Sequence, residues 1–279
     1  NIEYVKWDMN RQLTDLGSID LPADRQGELY HRYVLAVYAL QERLTKEYPH
    51  LLLENCSGGG ARFDPGMLYF SPQIWCSDDT DAIERLEIQE GTSLIYPLST
   101  MGAHVSDCPN HTVGRVTPFE TRGIVALAGT FGYELDLNLL TEEEKEQVRA
   151  QIKNYHRFEM LIRQGRYYRL TDVWQKKEYA AWEYCRPDGS EALVTVVTLD
   201  TQCNPATEYV KLRGLGEDKK YRVEVVGMQT GGENGQRING TPNSVEPKYF
   251  TGAQLVYAGV PVPRLGNEYK SWQVYVKEV

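Results

Sequence analysis

Residues 2–11 of the chain read IEYVKWDMNR, a short run of strand-forming residues that ends in a polar cluster. β-branched and aromatic side chains favour an extended strand, and the polar residues after them predict a loop. The same order of apolar run and polar loop recurs along the first half of the chain. The predicted strands are Ile2–Trp7, Leu51–Asn55, Ser71–Cys76, Ser93–Met101 and Phe131–Leu137. Strands that alternate with helices in this way favour βα units and a parallel sheet.

Helical patterns lie between and after these strands. The first long helix is predicted to bury the apolar face formed by Leu29, Tyr33, Val37, Leu40 and Leu44, which are spaced by three or four. The last helix of this half is predicted to begin at a capping box, Thr141 with Glu144, and to end at Gly165. Its buried face is predicted to be Val148, Ile152, Tyr155 and Ile162.

The number of βα units indicates an incomplete barrel. A βαβ unit takes roughly 30 residues, so residues 1–165 hold about five units, whereas a (β/α)₈ TIM barrel needs eight units and about 200 residues. A five-stranded doubly wound sheet is the alternative, but the run Gly58–Gly60 does not fit a phosphate-binding loop. We therefore predict an α/β fold in which residues 1–165 form an incomplete (β/α)₈ TIM barrel of about five βα units.

Residues 166–279 have a different pattern and are predicted to form an all-β antiparallel sandwich domain. Short β-rich runs are separated there by turn-forming clusters such as Pro187–Gly189. The runs are Tyr179–Tyr184, Ala192–Leu199, Glu208–Leu212, Tyr221–Gly227, Gln254–Tyr257 and Ser271–Lys277.

Composition excludes several classes of protein. The chain has 279 residues, of which 41% are hydrophobic and 25% charged, and these proportions exclude disordered, collagenous and coiled-coil proteins. No apolar run approaches the roughly 20 residues of a membrane-spanning helix, and the net charge of −9 argues against a nucleic-acid partner. The five cysteines contain no C-x-x-C pair, which argues against a disulfide framework and fits a cytoplasmic protein.

Polar residues at the carboxyl ends of barrel strands face the active site. Carboxylates dominate this group, and the tryptophans Trp7 and Trp75 flank it. Two acids on different strand ends suit glycoside hydrolysis, in which one carboxylate attacks the anomeric carbon and the other donates a proton. His104 and His111 lack an evident third ligand, so we expect both to pack structurally and no metal to be bound.

Three longer motifs resemble those of the α-galactosidases of glycoside hydrolase family 36. Residues 4–10 (YVKWDMN) are similar to the nucleophile motif, residues 54–60 (ENCSGGG) to the sugar-contacting loop, and residues 75–81 (WCSDDTD) to the acid/base motif. The resemblance continues through residues 101–106 and 109–111 and weakens in the β-rich tail.

This resemblance implies a retaining α-galactosidase that hydrolyses oligosaccharides such as melibiose and raffinose through a covalent galactosyl-enzyme. It implies that Asp8 is the nucleophile, that Asp78 is the general acid/base, and that no cofactor is needed. The residues expected to bind substrate are Lys6, Asn10, Cys56, Gly58, Gly59 and Trp75. The family also suggests a homo-oligomer.

Members of this family are longer and carry an N-terminal β-sandwich and three barrel strands before the nucleophile strand. The resemblance therefore implies that residues 1–165 are the C-terminal part of the (β/α)₈ catalytic barrel. We expect this chain to be the C-terminal portion of an enzyme, inactive or poorly soluble by itself. Its expected partner is the missing N-terminal part of the same enzyme.

Several alternatives stay open. The same residues would serve an α-galactosyl transglycosidase, and the β-rich tail would also suit a non-catalytic carbohydrate-binding fragment. Asp79 and Asp81 are as suited to capping the next helix as to touching substrate. Glu54 is expected to support the site by hydrogen bonding, and Arg62 with Asp64 to pair and brace the glycine loop.

Overall fold

The structure is a computed structural model that describes residues 2–204, 206–226, 248–262 and 268–279. The chain divides into two compact units. The first comprises Asn1–Asp78 and Thr100–Gly102, and the second comprises Asp79–Ser99 and Ala103–Val279. The predicted division of the chain at residue 165 stays a prediction.

The first unit contains three parallel strands in the order in which they occur along the chain. They are β1 (Tyr4–Trp7), β2 (Leu52–Asn55) and β3 (Gln73–Ile74), with order β1-β2-β3. Helix α1 (Leu29–Glu47) connects β1 to β2, and α2 (Pro65–Phe70) connects β2 to β3. The first three predicted strands and their parallel βα order are therefore confirmed.

The fourth predicted strand, Ser93–Met101, is wrong. Ser93 ends helix α3 (Glu84–Ser93), a 3₁₀ turn covers Leu98–Thr100, and strand β4 begins only at Gly102 and ends at Ser106. Pro97 cannot donate to a strand ladder, and the apolar residues before it, such as Ile95, are exposed. The burial of every second side chain, which is typical of a strand, starts later, at Met101, Ala103 and Val105.

The rest of the barrel-like half follows the expected order. Helix α4 (Phe119–Ala126) precedes strand β5 (Thr130–Glu134), which pairs with β4 and is shorter than the predicted strand. Helix α5 (Glu142–Gln164) begins at the predicted capping box: Glu144 N donates to Thr141 Oγ1 at 3.2 Å and Thr141 N donates to Glu144 Oε2 at 2.9 Å. Gly165 is its C-cap, as predicted.

Two helix faces differ from the apolar pattern because each buries a glutamine. On α1, Gln41 is fully buried and Leu40 is 47% exposed, contrary to the prediction. On α5, Gln151 is buried and Ile152 is exposed, again contrary to the prediction. The buried amides are paired: Gln41 Nε2 donates to Asn55 Oδ1 at 3.1 Å, and Gln151 Nε2 donates to the Phe119 carbonyl at 3.0 Å. Hydrogen bonding makes these polar positions tolerable inside the protein.

The second unit ends in an antiparallel β domain. Its strands are β6 (Arg166–Arg169), β7 (Tyr179–Cys185), β8 (Glu191–Thr198), β9 (Tyr209–Val210), β10 (Lys220–Val226), β11 (Lys248–Thr251), β12 (Val260–Pro261) and β13 (Ser271–Glu278). Six of them form one sheet with order β11-β10-β13-β8-β7-β6, and β12 pairs with β9. Alternate side chains of β7, β8 and β13 build its apolar core. The antiparallel all-β domain is confirmed.

One predicted strand of this domain, Gln254–Tyr257, is wrong because the chain is helical there. Residues Gln254–Ala258 form a π-helical turn that buries Leu255 completely. Gly259 ends the turn with φ +83°, a conformation that favours glycine. The predicted strand Tyr221–Gly227 is confirmed as far as Val226, and Gly227 lies outside the described residues. Within the described ranges, no helix combines the length and the apolar character needed to cross a membrane.

Candidate active site

Three loops of the first unit follow the carboxyl ends of β1, β2 and β3. Because the strands are parallel, these ends meet at one edge of the sheet. Backbone hydrogen bonds join the first two loops: Cys56 N donates to the Trp7 carbonyl at 3.0 Å, and Met9 N donates to the Cys56 carbonyl at 3.1 Å. The third is tied to β2, since Trp75 N donates to the Asn55 carbonyl at 2.9 Å.

Asp8 lies at the end of β1 and accepts hydrogen bonds from both adjoining loops. Asn10 Nδ2 donates to Asp8 Oδ2 at 2.9 Å. Desolvation raises the pKa of the Asp8 carboxyl, but hydrogen bonds outweigh it and lower the pKa below its ordinary value. The groups that lower this pKa are the Cys56 and Asn10 side chains and the nearby backbone N–H groups of Met9 and Gly58. Asp8 is therefore held as a carboxylate, the form that a nucleophile or electrostatic stabiliser needs.

Cys56 is buried, with 2% of its surface exposed, and its thiol donates to Asp8. Burial raises the pKa of this thiol to about 11, and the neighbouring Asp8 carboxylate adds to the effect. At neutral pH the side chain is thus a protonated donor and a poor nucleophile. This geometry supports a role in orienting Asp8 in addition to the sugar contact that the sequence predicts.

The glycine loop allows close backbone approach between two of the loops. Gly58 and Gly59 have φ of +54° and +82°, which L-residues with side chains rarely adopt. A Cβ atom on Gly59 would lie 2.7 Å from Ser77 Cα and 3.2 Å from Asp78 N. On its other side the loop meets Asn10, whose Oδ1 accepts from Gly58 N at 2.7 Å. The structure therefore brings Asp8, Asn10, the glycines and Asp78 into one neighbourhood.

Arg62 and Asp64 both support the loops, but each has a partner other than the one that the sequence suggested. Arg62 Nη2 donates to the carbonyls of Trp7 at 2.9 Å and Cys56 at 2.8 Å, so one guanidinium joins the ends of β1 and β2. Asp64 caps helix α2 and accepts from the Tyr38 hydroxyl at 2.5 Å. The bridge made by Arg62 has no local sequence signal, because both carbonyls belong to the backbone.

Lys6 and Trp75 lie beside each other in the same unit. Lys6 Nζ is 4.4 Å from the centre of the Trp75 ring, within the range of a cation–π contact. Trp75 is only 2% exposed, and Gly102 packs against its ring so closely that a Cβ there would approach to 2.9 Å. The Lys6 ammonium therefore lies against a buried aromatic ring, and contact of Trp75 with substrate stays a prediction.

The remaining acidic residues have structural partners. Glu54 is buried and accepts from the Tyr4 hydroxyl, a supporting position of the kind that the sequence predicts. Asp79 Oδ1 accepts from Asp81 N at 3.0 Å. Asp81 in turn accepts from the backbone N–H of Ile83 and of Glu84, at 3.0 Å each, and pairs with Arg115. Asp81 therefore caps the turn that leads into α3.

Ser57 connects two loops, although no sequence pattern marks it as a functional residue. Its hydroxyl donates to the Met9 carbonyl at 2.5 Å, and its backbone N–H donates to the Gly59 carbonyl at 2.8 Å.

His104 Nδ1 lies 3.7 Å from Glu134 Oε2. Among the described residues, no group of three His, Cys, Asp or Glu side chains is placed to hold a metal ion.

Residues 1–165 match the Melibiase family. The chain belongs to that family. Residues 179–276 match the glycosyl hydrolase family 36 C-terminal domain. Each half of this melibiase-family chain therefore matches a known domain family. The resemblance noted from the three motifs is thereby confirmed.

Two curated relatives align along the whole chain. The bifunctional alpha-galactosidase/sucrose kinase AgaSK of Mediterraneibacter gnavus is 50% identical over 278 residues, which is 100% of this chain and 27% of the relative. Alpha-galactosidase AgaA of Geobacillus stearothermophilus is 45% identical over 278 residues, again 100% of this chain and 35% of the relative. The chain thus spans about a third or less of the length of these relatives.

Solved structures agree in fold. A crystal structure of AgaA from Geobacillus stearothermophilus in complex with raffinose superposes with a TM-score of 0.88 at 44% identity, covering 100% of this chain and 36% of that chain. The galactosidase domain of AgaSK superposes with a TM-score of 0.87 at 50% identity. The match covers 100% of this chain and 35% of the AgaSK chain. The incomplete barrel with a C-terminal β domain is therefore the correct fold class for this chain.

Proposed function

We propose that this chain carries the two catalytic aspartates of a retaining α-galactosidase that acts on oligosaccharides such as melibiose and raffinose. The observation that carries the proposal is the Asp8 carboxylate, held ionised by the Cys56 thiol, Asn10 and two backbone N–H groups. Relatives named as α-galactosidases, with AgaA complexes of raffinose and stachyose among the solved structures, support the substrate class.

The choice of Asp78 over Asp79 as the acid/base has support from the AgaA complexes. The raffinose and stachyose complexes each carry a replaced aspartate, and the two replaced positions are separated by the same number of residues as Asp8 and Asp78. Asp79 Oδ1 is already hydrogen-bonded to Asp81 N. Asp78, in contrast, is exposed and adjoins the glycine loop.

In the proposed reaction, an Asp8 oxygen forms a bond to the anomeric carbon while the bond from that carbon to the leaving oxygen breaks. Asp78 transfers its proton to the leaving oxygen. Asp78 then removes a proton from water, the water oxygen bonds to the anomeric carbon, and the ester bond to Asp8 breaks to regenerate the carboxylate. A retaining mechanism of this kind places the two carboxyl groups about 5–5.5 Å apart.

Replacement of Asp8 tests the proposal in the full-length protein. Asp8→Ala is expected to reduce turnover of an aryl α-galactoside by several orders of magnitude, and azide is expected to restore turnover with formation of a β-galactosyl azide. Asp15→Ala, an exposed aspartate in the loop that follows, is the matched control and should retain activity. Retention of activity by Asp8→Ala would exclude Asp8 as the nucleophile, and a purely carbohydrate-binding protein would show no turnover to lose.

The acid/base assignment has its own test. Asp78→Ala is expected to impair raffinose hydrolysis much more than hydrolysis of an aryl galactoside whose phenolate leaves without a proton. Asp79→Ala is the control and should show no such dependence on the leaving group. If Asp79→Ala shows it and Asp78→Ala does not, the assignment is wrong. Product analysis with an added acceptor sugar separates hydrolysis from transglycosylation.

The proposal extends to assembly and location. The chain is proposed to work together with the N-terminal part of the same enzyme, because the aligned relatives extend well beyond the matched region. A homo-oligomer in the cytoplasm is proposed, and the five free cysteines support a reducing compartment. Sedimentation analysis of the full-length protein tests the oligomeric state.

A further inference from the structure

A groove of about 370 Å³ lies on the six-stranded sheet of the β domain, beside helix α5. Its lining residues are Arg157, Arg222, Glu224, Tyr275 and Lys277. Alternate residues of β13, Val274 and Val276, belong to the apolar core, so Tyr275 and Lys277 point to the opposite face of the sheet. This volume is at the small end of the range for ligand pockets and suits a small molecule.

Two cations of the groove directly face each other across neighbouring strands. Arg222 on β10 is the register partner of Lys277 on β13. Like charges in this arrangement repel, so the pairing destabilises the sheet unless an anion compensates it. A third cation, Arg157, reaches the same groove from α5.

The carboxylates beside the groove balance these three positive charges only in part. Glu224 is shared by two cations, because it pairs with Arg157 and also accepts from Arg222 Nη2 at 2.9 Å. Glu191 is likewise shared, with Lys277 Nζ at 3.4 Å and Arg186 Nε at 2.9 Å.

Within the described ranges, the three cations of the groove therefore have these two carboxylates as ion-pair partners, which leaves a local surplus of one positive charge in a chain whose net charge is −9. A local positive surplus of this kind attracts small anions.

The side chains favour a phosphate group over a neutral sugar. Guanidinium groups present several N–H donors in a plane and bind phosphate oxygens in pairs. Tyr275 offers little open ring surface for sugar stacking, because Arg157 lies over the ring at 4.8 Å and Phe158 packs against it at 5.3 Å. We propose that this groove binds a small phosphate-bearing anion, either free phosphate or a phosphate ester, at a site distinct from Asp8 and Asp78.

Isothermal titration calorimetry of the full-length protein with inorganic phosphate and with glucose 6-phosphate tests the proposal. Glucose is the neutral probe. Saturable binding of at least one phosphate probe is expected, with a dissociation constant on the order of 1 mM, and none of glucose. A preference for glucose 6-phosphate would identify an ester site, and equal affinity would identify a site for the phosphate group alone. Absence of saturable phosphate binding overturns the proposal.

The site is identified by two variants that are expected to change phosphate affinity in opposite directions, together with one control variant. Arg222→Gln removes a donor and is expected to weaken phosphate binding roughly tenfold, whereas Glu224→Gln removes the competing carboxylate and is expected to strengthen it. Arg149→Gln, on the same helix as Arg157 and paired with Glu146 away from the groove lining, removes an equal charge and should leave affinity unchanged. Equal weakening by Arg149→Gln and Arg222→Gln would show general charge attraction and overturn the site. Unchanged melting temperatures establish that each variant is folded.

Discussion

Glu183 places an ionisable group inside the core of the β domain, and this predicts a specific pH dependence of stability. The residue is fully buried on β7, on the same face of the strand as Ala181 and Cys185, which belong to the apolar core. Its Oε2 accepts from Arg213 N at 2.7 Å, and its Oε1 has no hydrogen-bond partner within the described part of the chain. Burial raises the pKa of this carboxyl from 4.5 to about 8, although the Arg213 amide opposes the shift.

The sign of the effect follows from proton binding. Between the unfolded pKa of 4.5 and the folded pKa of about 8, the folded state holds a proton that the unfolded state releases. The free energy of unfolding is therefore greatest below the unfolded pKa and decreases as pH rises, by roughly 1 kcal/mol per pH unit. Over the whole interval the loss is on the order of 4 kcal/mol, a large fraction of the stability of a typical domain.

Glu183→Gln removes the titration while its amide oxygen can still accept from Arg213 N. We expect the free energy of unfolding of the variant to exceed that of the wild type by an amount that increases with pH between about pH 5 and about pH 8. Urea unfolding followed by tryptophan fluorescence measures this difference, since Trp182 and Trp272 are buried in the same sheet.

Glu191→Gln on the neighbouring strand β8 is the matched control. Burial raises the pKa of Glu191, but hydrogen bonds from Arg186, Tyr275 and Lys277 outweigh it and lower the pKa overall. Glu191 is thus ionised in both states above about pH 6, and the difference between variant and wild type should stay constant. If Glu183→Gln also gave a constant difference, the carboxyl of Glu183 would be ionised in the folded protein and the predicted pH dependence would be wrong.

Three further predictions concern the loops and one helix cap. Cys56→Ala removes a hydrogen-bond donor from Asp8 and is expected to raise the pKa of that carboxyl. The acidic limb of the pH–activity profile should therefore move to higher pH. If the limb does not move, the Cys56 thiol does not stabilise the Asp8 carboxylate. Gly59→Ala is expected to lower turnover and melting temperature. The new Cβ would lie 2.7 Å from Ser77 Cα, and the φ of residue 59 is +82°. Wild-type turnover and melting temperature would show that the loop accommodates a side chain. Thr141→Ala removes the cap of α5 and is expected to cost about 1 kcal/mol in urea unfolding, whereas a loss within error would mean that the cap is replaced by water.

Local patterns in the sequence were sufficient for most of the elements. The capping box at Thr141 and the first three strands depend on residues close together in the chain, and the structure has them where the sequence predicts them. The errors arose where burial overrides propensity. Leu255 enters the core through a helical turn, and Gln41 occupies a buried position that an apolar pattern assigns to its neighbour Leu40.

Three features can be read from the order of residues alone. They are the alternation of strands and helices, the change to an all-β domain, and the motifs that contain Asp8 and Asp78. The surroundings of Asp8, in contrast, form only when the chain is folded. Its hydrogen bond from Cys56 and the bridge made by Arg62 join groups about 50 positions apart, and both depend on the pairing of β1 with β2. The same holds for the facing pair Arg222 and Lys277, because strand register brings together residues that no local pattern relates.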